Sequence, residues 1–272
     1  MAQYSIALLS WREDTFEVAV REAAQAGFRA CELFQSGVGL EDDQAVGDAR
    51  RLLNAHSLHA LTIHTSGGRV SATDEDERAA AVERVTAAFE GFAALGGFAA
   101  IVHPSHALRP GERPDDQVEA FRRSLPALYE RADAAGIRLA FENLPVKGDG
   151  LPRPLGRMQD LRAALEGMPA EVGICLDTGH AVLNGLSPAD EARDAGERLI
   201  ALHLHDSDEV SDHWIPGDRS IVWAALNGAL IEVGFHGAWT FEVVRASDAE
   251  GALPAAIRSR AVADAWTAGR FG

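Results

Sequence analysis

Lysine is almost absent. Of 25 basic side chains only Lys147 is a lysine, and it stands in the Gly- and Pro-rich stretch PVKGDG, expected to be exposed. Schiff-base chemistry needs a lysine amine whose charge is suppressed by its surroundings, so a Schiff-base aldolase is disfavoured. Cysteine occurs twice, as Cys31 in RACELF and Cys175 in VGICLD. Two cysteines in apolar runs exclude a thiolate-rich structural zinc site. They read as buried, reduced thiols of a cytoplasmic protein. No basic run is present, and the net charge is −16. That balance disfavours nucleic acid and anionic membranes as partners. No apolar run is long enough to span a bilayer. The N-terminal MAQYSIALLS lacks a signal peptide's basic region and reads as a first strand.

What the chain does have is a strand–helix rhythm over its 272 residues, read as a single domain covering 1–272. At this length roughly three quarters of the unfolded surface is buried. Eight short apolar runs predict strands at 3–9, 30–34, 59–64, 98–103, 137–142, 172–177, 200–205 and 238–243. Continuous apolar character fits parallel strands covered on both faces. Helices are predicted between them. One starts at Thr73 as N-cap, carries Asp74, Glu75 and Asp76 in its first turn and runs to Leu95. Others cover about 14–26, 115–135 and 254–268, the first two stopped by Gly27 and Gly136. Eight strands alternating with helices make an α/β fold, a (β/α)8 TIM barrel. A doubly wound sheet is disfavoured because SWREDT, not a Gly-rich fingerprint, follows the first strand.

Carboxylates and imidazoles end these strands: His64, His103, Glu142, Asp177, His203 and Glu242, with His180, His205, Asp206 and His213 in the following loops. Each alone has an ordinary explanation, a hydrogen-bonded core histidine or a turn aspartate. Asp206 and Asp208 read as loop carboxylates, and His56 and His59 as surface residues. Together the strand-end groups fall on the C-terminal rim, where barrels of this kind carry their active sites. Glu142, Asp177, His203 and Glu242 form a hard, oxygen-rich donor set. It suits one divalent metal, Mn²⁺, Mg²⁺, Co²⁺ or Zn²⁺.

The motifs FENLP, CLDTGH, HLHD, HWIPGD and FEV resemble the xylose isomerase-like TIM-barrel superfamily, from the first strand to the last. This superfamily includes sugar isomerases and epimerases, inosose dehydratases and type IV apurinic endonucleases. In its ketose epimerase branch, the resemblance implies that Glu142, Asp177, His203 and Glu242 bind one metal. Glu142 and Glu242 would also exchange the substrate proton. His180 would contact a substrate oxygen, with His64, His103, His213 and Arg219 as further polar contacts. The expected activity is a metal-dependent isomerase or epimerase of a small sugar, ketose or keto acid. The alternatives are an inosose dehydratase-type lyase and a three-zinc endonuclease. Against the nuclease, Ser211 stands where that branch has an aspartate two residues before the histidine, and Arg219 replaces a glycine. Trp11, Phe34 and Trp214 are candidates for an apolar wall around the substrate. The loop 145–156 is a candidate lid. A homo-oligomer is common in the superfamily.

Overall fold

The computed structural model describes residues 3–271 apart from 13, 67, 149 and 150. Eight parallel strands close into a barrel: β1 (Gln3–Ala7), β2 (Ala30–Phe34), β3 (His59–His64), β4 (Ala99–Val102), β5 (Arg138–Glu142), β6 (Val172–Asp177), β7 (Leu199–Leu204) and β8 (Ala238–Phe241). Each strand pairs with its sequence neighbours, and β8 closes on β1 through Gln3–Ala238 to Ile6–Phe241.

Strand alternation sorts the residues into two layers. Outward side chains such as Ile6, Leu33, Ile63, Phe141, Ile174, Leu202 and Phe241 join the large core beneath the helices. Inward positions are mostly small: Ala30, Ala99, Ala140, Cys175, Ala201 and Ala238 belong to a separate interior cluster. Two residues further along the same strands stand Glu32, Ile101, Glu142, Asp177, His203 and Thr240. Thus one rung is mostly small side chains, with Leu61 and Ile200 in the same cluster, and the next is largely polar. Both cysteines are buried and free, and burial pushes the Cys175 thiol up to about 12.

The predicted strands are right in place and slightly long. β1 ends at Ala7, where Leu8–Trp11 tightens into a 3-10 turn, and β4, β7 and β8 leave His103, His205 and Glu242 one residue beyond their ends. The helix expected from Thr73 to Leu95 is two helices, α3 (Glu75–Thr86) and α4 (Phe89–Ala94), and its N-cap is Asp74, which accepts from Glu77 N at 2.8 Å. At the end of α3 the buried Thr86 hydroxyl donates to Val82 O at 2.9 Å. Beyond it, a Cβ on Gly91 would stand 2.1 Å from Leu40 O, so the redirected helix packs on backbone. The predicted 14–26, 115–135 and 254–268 helices are α1 (Phe16–Gln25), α5 (Pro114–Ala135) and α11 (Ala252–Thr267). No helix among the described residues is long and apolar enough to cross a membrane.

Part of the 145–156 loop is a short antiparallel hairpin, Lys147–Gly148 against Leu151–Pro152. Asp149, Gly150 and the Lys147 side chain lie outside the described residues. The loop's base is tied down by Asn184, whose amide donates to Leu144 O (3.1 Å) and Gly156 O (3.0 Å) while its oxygen accepts from Val146 N (2.7 Å).

Candidate active site at the barrel rim

β5, β6, β7 and the end of β8 bring Glu142, Asp177, His203 and Glu242 together. One donor atom from each lies within 4.8 Å of the others, and all four side chains are buried. His203 Nδ1 lies 2.8 Å from Glu242 Oε2, 3.3 Å from Glu142 Oε1 and 3.9 Å from Asp177 Oδ2. Yet His203 Nδ1, Glu242 Oε2 and Glu142 Oε2 are buried without a hydrogen-bond partner. Leaving such atoms unmatched costs about 1–3 kcal/mol each. Two of these orphaned atoms, His203 Nδ1 and Glu242 Oε2, face each other at 2.8 Å with Glu142 Oε1 3.3 Å from the ring nitrogen, an arrangement a cation would satisfy, so the residues fit a divalent metal.

The electrostatics agree. Burial alone would raise the Glu142 carboxyl, but His203, His103 and His180 outweigh it and hold the group well below the usual carboxylate range. Burial likewise opposes charge on His64 and His180. The carboxylates beside them, Glu142 for His64 and Asp177 then Glu142 for His180, raise these imidazoles to about 9 and about 10. The cluster of acids therefore draws positive charge to itself.

The motifs now have mechanical meanings. In FEN, the Asn143 side chain pairs with the backbone of Asp177, accepting from its N at 2.7 Å and donating to its O at 3.1 Å. In CLDTGH, Asp177 caps the short helix α7 (Thr178–Leu183) through His180 N (2.7 Å). Thr178 Oγ1 donates to His205 O (2.7 Å) and accepts from His205 N (3.1 Å), stitching β6 to β7. Gly179 makes room for an imidazole, because a Cβ there would sit 2.1 Å from His205 Cε1. His205 in HLHD donates from Nε2 to Asp177 Oδ2 (2.8 Å) and accepts His213 N at Nδ1 (2.8 Å), which fixes its tautomer and steadies Asp177.

The remaining candidates surround this centre. His64 Nε2 and His103 Nε2 lie 3.5 and 3.3 Å from Glu142 Oε2. His180 donates from Nδ1 to Asn143 O (2.9 Å), leaving Nε2 facing Asp212 at 3.9 Å. His213, at φ 60°, directs Nε2 to within 3.8 Å of Glu242 Oε1. Arg219 sits apart from this centre: its guanidinium lies 4.0 Å over the Trp214 ring and its Nε is 3.4 Å from Asp208. Trp11 is buried, donates to Glu22 Oε2 (2.8 Å) and lines a cavity of about 250 Å³ with Leu8, Phe16, Phe34 and Val38. Arg12, Asp14, Thr15 and Ser36 also line it, and the Phe34 ring centre is 5.5 Å from that of His64, so this mixed cavity adjoins the polar centre.

Two residues carry more than their sequence suggested. Asp206, expected as a loop carboxylate, is fully buried. It accepts from Ser207 N, Ile221 N, Gly217 N, Arg219 N and Trp223 Nε1 at 2.9, 3.0, 2.8, 3.0 and 3.3 Å, holding the loop that presents His213. Glu32 was not singled out at all. It is buried on β2, where Oε2 accepts from Thr62 Oγ1 (2.7 Å) and from His203 Nε2 (3.1 Å). Its signal was present, a carboxylate inside the apolar ACELF two residues after an inward alanine.

Comparison with known proteins agrees with this architecture. A structure described as a D-tagatose 3-epimerase-like protein superposes with a TM-score of 0.82 at 20% identity, covering 97% of each chain. D-psicose 3-epimerase, solved in the presence of D-fructose, gives 0.80 at 18% identity, covering 95% of this chain and 97% of its own. In sequence, D-psicose 3-epimerase of Enterocloster bolteae is 36% identical over 73 residues, 27% of this chain and 23% of that protein. The chain thus aligns with less than a quarter of that relative's length. The profile of one family matches residues 20–262 of the 272. The chain belongs to the xylose isomerase-like TIM-barrel family.

Proposed function

We propose that the rim site epimerises or isomerises a small sugar or related ketose by proton transfer beside a carbonyl, with one divalent cation held by Glu142, Asp177, His203 and Glu242. The observation that carries this reading is the grouping of the buried Glu142, Asp177, His203 and Glu242, each offering a ligand atom within 4.8 Å of the others, with His203 Nδ1 and Glu242 Oε2 left unpartnered. Similarity to proteins named as D-psicose and D-tagatose 3-epimerases supports the substrate class. A divalent cation held by these four residues would supply Lewis acidity that lowers the pKa of the C–H beside the substrate carbonyl. Glu142 and Glu242 stand at the two ends of the β5–β8 arc and divide the proton transfer, one removing it and the other returning it. His180, with Nδ1 committed to Asn143 O, has Nε2 to offer a substrate hydroxyl. His64, His103 and His213 bound the same space, and Trp11 and Phe34 offer an apolar wall beside it. Arg219 would contribute from the outer part of its loop.

The test is deuterium incorporation from heavy water into ketoses, inososes and hydroxypyruvate in the presence of Mn²⁺. Glu142→Gln is expected to lose at least about 10²–10⁴-fold in exchange while circular dichroism stays native. Undiminished exchange in this variant would remove Glu142 from the mechanism. Loss of water from the product, read by mass, would assign the lyase alternative.

A second reading draws on two further groups within ligand distance, His64 with His103 and Glu142, and Asp177 with His180, His205 and His213. These would suit a multinuclear phosphodiesterase. The net charge of −16 opposes it. Cleavage of an abasic-site duplex by the metal-loaded protein would favour it over the epimerase.

A further inference from the structure

The geometry points to Glu32 as a positioning residue that sets the orientation of His203 from outside the metal site. The inference rests on the reading of Glu142, Asp177, His203 and Glu242 as metal ligands. Glu32 belongs to a different quarter of the barrel, on β2, and reaches across the interior to β7.

A buried carboxylate in a barrel interior is costly unless matched. Glu32 is 2% exposed and the imidazole it meets is fully buried. Its Oε2 accepts two hydrogen bonds, from Thr62 Oγ1 at 2.7 Å and from His203 Nε2–H at 3.1 Å. A carboxylate only accepts, so this contact requires the proton on Nε2. The opposite ring nitrogen, Nδ1, is thereby the one turned to Glu242, Glu142 and Asp177, and it is the atom left without a partner.

Three consequences follow from that arrangement. The ring cannot flip without breaking the Glu32 bond, which leaves the buried carboxylate with the Thr62 hydroxyl and no imidazole partner. The carboxylate behind Nε2 increases the electron-donating power of Nδ1, as partners of metal-bound histidines do. Thr62 fixes the carboxylate in turn, so the orientation is handed from β3 to β2 to β7. Among the described residues, Glu32 stands outside the groupings whose ligand atoms converge closely enough to share an ion. It acts through His203, not on the ion.

The experiment is Mn²⁺ affinity by chelator competition on the full chain, with the visible spectrum of the Co²⁺-loaded protein as a second readout. Glu32→Gln keeps the shape and an acceptor oxygen but removes the charge. It is expected to bind Mn²⁺ about 10–100-fold more weakly and to shift the Co²⁺ bands. Glu32→Asp, which restores the charge, is expected to recover part of the affinity. Metal-free melting temperatures separate this effect from a general loss of stability: a purely structural role would lower the melting point of Glu32→Gln and leave affinity and spectrum unchanged. Wild-type affinity and spectrum in Glu32→Gln would overturn the inference for Glu32 alone. Failure of the wild-type chain to bind Mn²⁺ would overturn the metal-site reading, and this inference with it.

Discussion

Asp206 carries a whole loop on two oxygens. Its five N–H partners come from positions 207 to 223, and with its backbone pairing to Trp214 it closes the segment on itself. Removing the carboxylate would leave several buried donors without partners. Asp206→Ala is therefore expected to cost about 3–4 kcal/mol, seen as a fall of roughly 10 °C in calorimetric melting temperature. Asp206→Asn retains one acceptor oxygen and should fall between wild type and alanine. A melting point for Asp206→Ala within about 2 °C of wild type would mean the loop's backbone finds other partners. The same residue shows where reading a sequence reaches its limit. Asp206 in HLHD has the composition of an exposed turn, and only the return of residues 217–223 to its oxygens buries it. Glu32 was missed for a related reason: what distinguishes it is His203, 171 positions away.

Among the elements, the 145–156 loop is tied at its base. Asn184, just past α7, ties Leu144, Val146 and Gly156 together, so the loop leaves and re-enters the barrel rim at one clamped point. Arg153 N to Val146 O at 2.7 Å and Leu108 N to Pro152 O at 2.9 Å add backbone ties. Asn184→Ala removes three hydrogen bonds at once and is expected to raise amide exchange across 144–156 while leaving β5 and β6 protected. If this loop covers bound substrate, KM should rise by more than kcat falls. Unchanged exchange would show that the backbone ties suffice. The strands themselves were legible because their periodicity is local: an apolar run, an inward small residue, then a polar one. The interruption between α3 and α4 was not, since alanine-rich sequence favours continuation, and the packing of Gly91 against Leu40 O is a contact between distant segments. The hairpin Lys147–Gly148 with Leu151–Pro152 was likewise hidden in a stretch read only as a flexible loop.

For the molecule as a whole, cation binding and stability should be linked. A ligand that binds only the folded chain at about 100 times its dissociation constant stabilises it by about 2.7 kcal/mol. Saturating Mn²⁺ is thus expected to raise the melting temperature by roughly 5–10 °C, and excess chelator to reverse it. Glu142→Gln should flatten this response; an equal rise in that variant would place the ion elsewhere. The barrel was legible at this scale because eight strand–helix units of similar length leave few other closures. The site was legible in outline because its donors interrupt apolar strands at one end.

The rim is divided by strand number. Glu142, Asp177, His203 and Glu242 come from the β5–β8 half, whereas Trp11, Phe34 and the cavity they line belong to the β1–β2 quarter. Under the proposed function, chemistry and recognition would occupy separate parts of the rim, and chimeric barrels exchanging the first quarter are expected to alter substrate preference while keeping the four proposed metal ligands. Glu32 makes that boundary imperfect. It sits in the exchangeable quarter but braces His203 in the other, so a transplanted β2 must bring a carboxylate at this position for the graft to function.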